Sequence, residues 1–108
     1  MINYFKGVRD SLKNEEAFRV EIILSLLLTP VAFWLATNYL QLILLIGTLI
    51  VVLIVELLNT GIEAAGDRVG FEFIELSGRA KDAGSAAVLL SLVLAGVIWG
   101  TIIWQNLF

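Results

Sequence analysis

Charged and apolar positions segregate sharply along this 108-residue chain. Charges fall in two blocks, Lys6 to Glu21 and Glu56 to Asp82, while 22–55 and 83–108 carry none. A bilayer-spanning helix needs about 20 mostly apolar residues. The 26 residues after Asp82 supply one span, centred on 86–107. The 34 residues from Ile22 to Val55 exceed one span, and a polar turn signal, Thr37-Asn38-Tyr39 with Gln41 after it, interrupts them. Two antiparallel spans, around 22–37 and 40–60, follow from that break; a single long tilted helix is the alternative, disfavoured on length. Near the N-terminus Ile2, Phe5, Val8 and Leu12 recur at helical spacing with Lys6, Arg9, Asp10 and Lys13 between them, the pattern of a helix lying on a membrane surface. Asn14 followed by Glu15 and Glu16 reads as an N-cap with an acidic first turn, so a second helix starts at 15. Glu15 and Arg19 also have the spacing of an i,i+4 ion pair. The pattern predicts one all-α membrane domain. It has a surface helix over 1–14, transmembrane helices over 15–37, 40–66 (with a cytoplasmic extension) and 83–107, and a cytoplasmic hairpin over 67–82.

Composition sharpens this. The chain is 59% hydrophobic and 16% charged, with mean hydropathy +0.94. Soluble domains are about 45–50% apolar and about 25% charged, and a core this small cannot hide the excess. There is no Cys and no His, which excludes disulfides, thiol nucleophiles, imidazole ligands and histidine acid–base chemistry. A net charge of −3 gives no case for nucleic acid. Lys6, Arg9, Lys13 and Arg19 precede the first span, and Arg68, Arg79 and Lys81 lie between the second and third. The 37–41 turn and the C-terminal 26 residues have no basic residue. The positive-inside rule then puts both charged blocks and the N-terminus in the cytoplasm and the C-terminus outside. Trp34, Tyr39, Trp104 and Trp99 are expected at the outer interface. The leading segment is acidic as well as basic and lacks a small-residue cleavage site, so no signal peptide is expected.

The most informative polar residues are Glu56, Asn59, Glu63 and Asp67. At roughly 100° per residue they lie within about 80° of one another, on one face of the second helix. Glu56 stands near the inner edge of the bilayer, where a carboxylate is costly and is a functional hypothesis by default. A snorkelling glutamate, or an ion pair with Lys81 or Arg79, is the structural alternative. Oxygen donors clustered without His or Cys suit Mg²⁺, which binds one or two carboxylates together with substrate phosphates. A further carboxylate beside a hydroxyl can act as general base. Lys81, Asp82 and Arg79 precede the third span, and a cation there can neutralise a transferring phosphoryl group. The set fits phosphoryl transfer at the cytoplasmic membrane surface.

Gly61 to Gly66 has the spacing of a phosphate-binding loop, but Asp67-Arg68 stands where Lys and Ser or Thr are needed, and no strand precedes it. Those glycines are instead expected to allow close helix approach. Ala83, Ala87, Ser91 and Ala95 recur every four residues, and Gly96 and Gly100 form a GxxxG pair. Such faces serve either self-association or packing within one subunit.

The runs ELLNTGIEAAGDR at 56–68 and ELSGRAKDAGSAA at 75–87, with NEEAFR at 14–19 and Glu21, resemble the small prokaryotic integral-membrane diacylglycerol kinases. The resemblance covers the chain from about residue 4 onward. It implies three transmembrane helices plus an amphipathic surface helix, a homotrimeric bundle with active sites shared between subunits, and a bacterial inner-membrane location. It implies transfer of the γ-phosphoryl group of ATP to diacylglycerol, giving phosphatidic acid. By the same resemblance Glu56 is the general base, and Glu15 and Glu63 hold the divalent metal with ATP. Asn59, Glu72, Lys81 and Asp82 join Glu15 and Glu63 around the nucleotide. Arg9, Ala17, Phe18, Arg19, Glu21, Ser85 and Trp99, with Glu56, line the lipid site. The chain departs from the family at Phe73-Ile74, where Tyr-His is frequent, at Asn3, where a Tyr is displaced to position 4, and at Leu42, where a basic residue is missing. The shorter N-terminus also lacks an Arg of the family's leader. These departures touch peripheral contacts.

Two rival readings remain from the sequence. A polyprenol kinase acting on undecaprenol would share the carboxylate motif, but Glu75 to Arg79 and Gly84-Ser85 look more like the diacylglycerol branch. A non-enzymatic transport subunit would place its carboxylate near the bilayer midplane; here the carboxylates cluster at one end.

Overall fold

The computed structural model describes residues 16–68 and 74–108, apart from the side chains of Ala17, 64–68 and 74–77. The expected surface helix over 1–14, with Arg9, Glu15 and Glu72, lies outside the described residues. Those described form three helices: α1 (Glu16–Leu35), α2 (Tyr39–Arg68) and α3 (Ile74–Leu107). All three are long and apolar enough to cross a membrane, over Phe18–Leu35, Tyr39–Glu63 and Gly78–Leu107. The chain is an all-α protein with three membrane-spanning helices.

The turn between α1 and α2 is built by the polar residues that signalled it. The Asn38 side-chain oxygen accepts from the Gln41 N–H (2.9 Å) and caps α2. Gln41 Oε1 in turn accepts from the Thr37 N–H (3.0 Å) and hydroxyl (2.9 Å). Asn106, near the end of α3, donates from Nδ2 to the Leu35 carbonyl and to Gln41 Oε1, both at 2.8 Å. One amide therefore satisfies an orphan carbonyl at the end of α1 while tying all three helices together. Directly beneath lies the apolar core of Ala32, Leu35, Leu45 and Ile102.

Helix lengths decide what happens at the other end. At 1.5 Å per residue α2 and α3 reach about 45 and 51 Å, against about 30 Å for the hydrocarbon core. Since the helices are registered at the turn end, the surplus of α2 and α3 over the core falls at the opposite, charged end. The end of the apolar run at Asp82 is not a helix boundary: α3 begins at Ile74 and carries Arg79, Lys81 and Asp82. Helix formation needs backbone pairing and tolerates charge, so it continues where the bilayer stops.

α2 and α3 form the principal packed pair, with α1 resting chiefly on α2. α1 contains Pro30, which removes one backbone donor; the preceding Thr29 hydroxyl donates to the Ser25 carbonyl (2.7 Å). Large apolar side chains such as Leu26, Leu27, Leu90 and Val97 face outward, as suits helices solvated by lipid. Trp34, Tyr39 and Trp104 are exposed around the turn end, in the manner of an interfacial belt. Trp99 does not join that belt. It is half-buried, and its indole N–H reaches Thr48 Oγ1 (3.1 Å) and the Leu45 carbonyl (3.3 Å), because the ring turns inward against α2.

Candidate active site

The buried face of α2 runs through Leu45, Leu49 and Val52 and arrives at Glu56. Helical periodicity carries that face on to Asn59 and Glu63, both half-buried. Glu56 is 8% exposed, a desolvated carboxylate on the same face as an apolar core. Asn59 Nδ2 donates to Glu63 Oε1 across 3.4 Å, one turn along. The predicted stripe is thus a continuous side of α2 over Glu56, Asn59 and Glu63; the Asp67 side chain lies outside the described residues.

α3 makes its closest glycine approach here. A Cβ placed on Gly84 would stand 3.7 Å from Asn59 Cα and 3.2 Å from its Cγ, and would collide with Oδ1. That Oδ1 is buried and accepts no hydrogen bond among the described residues. Gly61 and the Gly96–Gly100 pair do not play the close-packing role expected of them within a chain, because a Cβ at any of them would meet only open space. Gly61 and Gly100 are exposed, and Gly96 faces an open cavity between the helices; the small residues at the α2–α3 contact are Gly84 and the buried Ser91.

Lys81 is half-buried one turn before Gly84, on the side of α3 that packs against α2. Asp82 and Ser85 are exposed on a single chain, so the structure does not gather them with the α2 carboxylates. On α1, Phe18 is fully buried, Glu21 half-buried and Arg19 exposed, while the Ala17 side chain lies outside the described residues. Further along the bundle a cavity of about 330 Å³ opens between the three helices. Glu21 and Trp99 line it together with Leu28, Leu49, Val52 and Leu92. Two residues that the resemblance assigned to the lipid thus share one apolar cavity.

Among the described residues no group of three acidic side chains could hold a metal ion. Glu63 is the described member of the expected pair, with Glu15 outside. The donor chemistry fits a hard cation: a half-buried carboxylate, an amide beside it, and no imidazole or thiolate in the chain. Sequence reasoning anticipated neither the approach of Gly84 to Asn59 nor the bond from Trp99 to Thr48. The signal for Gly84 was present in its register with Ser91 and Ala95 at helical intervals; Thr48 had none beyond being polar in an apolar run.

A multi-pass helical protein with a buried acid and a carboxylate–amide pair at one end of its spans is a membrane enzyme in outline. The sequence profile described as "Prokaryotic diacylglycerol kinase" matches residues 3–103. The chain belongs to the prokaryotic diacylglycerol kinase family and is an enzyme, a kinase. It is 46% identical over 102 residues to the diacylglycerol kinase of Escherichia coli K12, covering 94% of this chain and 84% of that one. The diacylglycerol kinase of Haemophilus influenzae is 43% identical over 99 residues, covering 92% and 84%. That of Pseudomonas aeruginosa is 43% identical over 97 residues, covering 90% and 79%.

Proposed function

We propose that this chain transfers the γ-phosphoryl group of ATP to diacylglycerol at the cytoplasmic face of the bacterial inner membrane, giving phosphatidic acid. The observation that carries the reading is the Glu56–Asn59–Glu63 side of α2. A buried acid adjoins the apolar part of the bundle, and a half-buried carboxylate stands seven residues further, about 10 Å along the helix. Such spacing lets a lipid hydroxyl and a water-borne nucleotide meet while each keeps its own solvent. Glu56 accepts the hydroxyl proton as that oxygen bonds to the γ-phosphorus. The bond from phosphorus to the β–γ bridging oxygen breaks, and ADP leaves with its electron pair. Glu63 and Glu15 would hold Mg²⁺, which when bound neutralises charge on the β- and γ-phosphate oxygens. Lys81 adds positive charge on the same side, and Asn59, Glu72 and Asp82 contact the nucleotide. Arg9, the Ala17–Glu21 stretch, Ser85 and Trp99 receive the lipid, with the cavity beside Glu21 and Trp99 taking an acyl chain.

The active form is a homotrimer with sites shared between subunits. Its support is the exposure of Asp82 and Ser85 on a lone chain and the wide apolar faces of α1 and α3, which a neighbouring copy would cover. The N-terminus is cytoplasmic and the C-terminus periplasmic, on the distribution of Lys and Arg. The test is a phosphotransfer assay in mixed micelles with ATP and Mg²⁺, comparing diacylglycerol with undecaprenol. Transfer to diacylglycerol is expected; preferential transfer to undecaprenol, or to neither lipid, overturns the proposal.

A further inference from the structure

We propose that Gly84 is a positioning residue: the notch left by its missing side chain admits the Asn59 carboxamide and so directs Nδ2 onto Glu63. The inference rests on the reading of Glu63 as a metal- and nucleotide-binding carboxylate.

The geometry separates backbone from side chain. A methyl group at 84 would be 3.7 Å from Asn59 Cα, an ordinary contact, so the two helices can keep their spacing. It would be 3.2 Å from Cγ and would overlap Oδ1, so the carboxamide could not stay. Nothing else holds that end of the amide, since Oδ1 is buried without a hydrogen-bond donor among the described residues. The other end reaches Glu63 Oε1 at 3.4 Å, a long bond that a modest rotation breaks. Helical χ1 preferences leave few alternative rotamers, and leaving this one removes Nδ2 from Glu63. The space on α3 therefore sets the orientation of a carboxylate on α2 without Gly84 touching it. Lys81, one turn earlier on α3, is brought to the same side by the same approach.

The test uses the purified full-length protein with Gly84→Ala, Asn59→Ala, the double variant and Glu63→Gln. Three quantities are read: the Mg²⁺ concentration for half-maximal turnover, the affinity for a fluorescent ATP analogue with Mg²⁺, and thermal unfolding in detergent. Gly84→Ala should fold and assemble as wild type, yet need about tenfold more Mg²⁺ and bind the nucleotide about tenfold more weakly. That is the size of change expected when one hydrogen bond to a charged group is lost. Because Asn59→Ala vacates the space, the double variant should bind no worse than Asn59→Ala alone; the loss should fall on Mg²⁺ and nucleotide while thermal unfolding stays at the wild-type value, a selectivity that plain packing damage would not produce. Unchanged Mg²⁺ dependence in Gly84→Ala, additive losses in the double variant, or failure of Gly84→Ala to fold each overturns the positioning role. Glu63→Gln separates the two levels. If it leaves Mg²⁺ dependence and nucleotide affinity intact, the metal reading of Glu63 has failed; if it is defective while Gly84→Ala is not, only the positioning role has.

Discussion

Replacing Glu56 tests the proposed chemistry most directly. The side chain is 8% exposed and lies on the packed face of α2, so Glu56→Gln, which conserves volume, should leave the fold in place. It removes the ability to take a proton. General bases contribute about 10²- to 10⁴-fold, so turnover should fall by that factor, equivalent to about 2.7–5.5 kcal/mol of barrier. Glu56→Asp keeps the charge but withdraws it by one methylene, roughly 1.5 Å from where it acts, and misplacement of about 1 Å can cost about 100-fold. Nucleotide affinity should hardly move in either variant. Glu63 sits seven residues away, about 10 Å along the helix, and Glu56 is assigned to the lipid side. The assay is single-turnover phosphotransfer to diacylglycerol, with nucleotide affinity measured on the same preparations. If Glu56→Gln keeps turnover within about threefold of wild type, under about 1 kcal/mol, Glu56 is not the base. The buried acid then belongs to a structural network.

Three further outcomes are expected. Asn106→Ala removes the donor shared by the Leu35 carbonyl and Gln41, and should lower stability by about 1 kcal/mol in detergent unfolding; no change would show the three-helix junction to be inert. Trp99→Phe keeps an aromatic side chain but deletes the indole N–H and part of the ring volume; because Thr48 still donates to the Leu45 carbonyl at 2.8 Å, no acceptor is orphaned and the cost should stay near about 1–2 kcal/mol, whereas Trp99→Ala should cost at least about 3 kcal/mol by opening a larger void. A reporter fused after Phe108 should be active only on the periplasmic side, and cytoplasmic activity would refute the assigned orientation.

Much of this molecule is legible without coordinates, because the bilayer imposes its constraint locally. Two long charge-free stretches and one polar break determine three spans, and the Lys and Arg distribution supports the proposed orientation. The periodicity of Glu56, Asn59 and Glu63 likewise follows from helix geometry alone, and α2 presents them on one side as that geometry requires. Tertiary structure decided what depends on the facing helix. Periodicity could not tell that α3 begins at Ile74, since charge marks the edge of the bilayer and not of the helix. Nor could it tell that Trp99 turns inward to Thr48 while Trp104 faces out, because an aromatic in an apolar run satisfies both environments. The glycines show the same limit. Gly61, Gly84, Gly96 and Gly100 look alike in sequence, yet only at Gly84 among them does another helix come close enough for a missing Cβ to matter. Which glycine lies at a crossing is set by the rotation and tilt of two helices about each other, a property of the pair that neither segment carries alone.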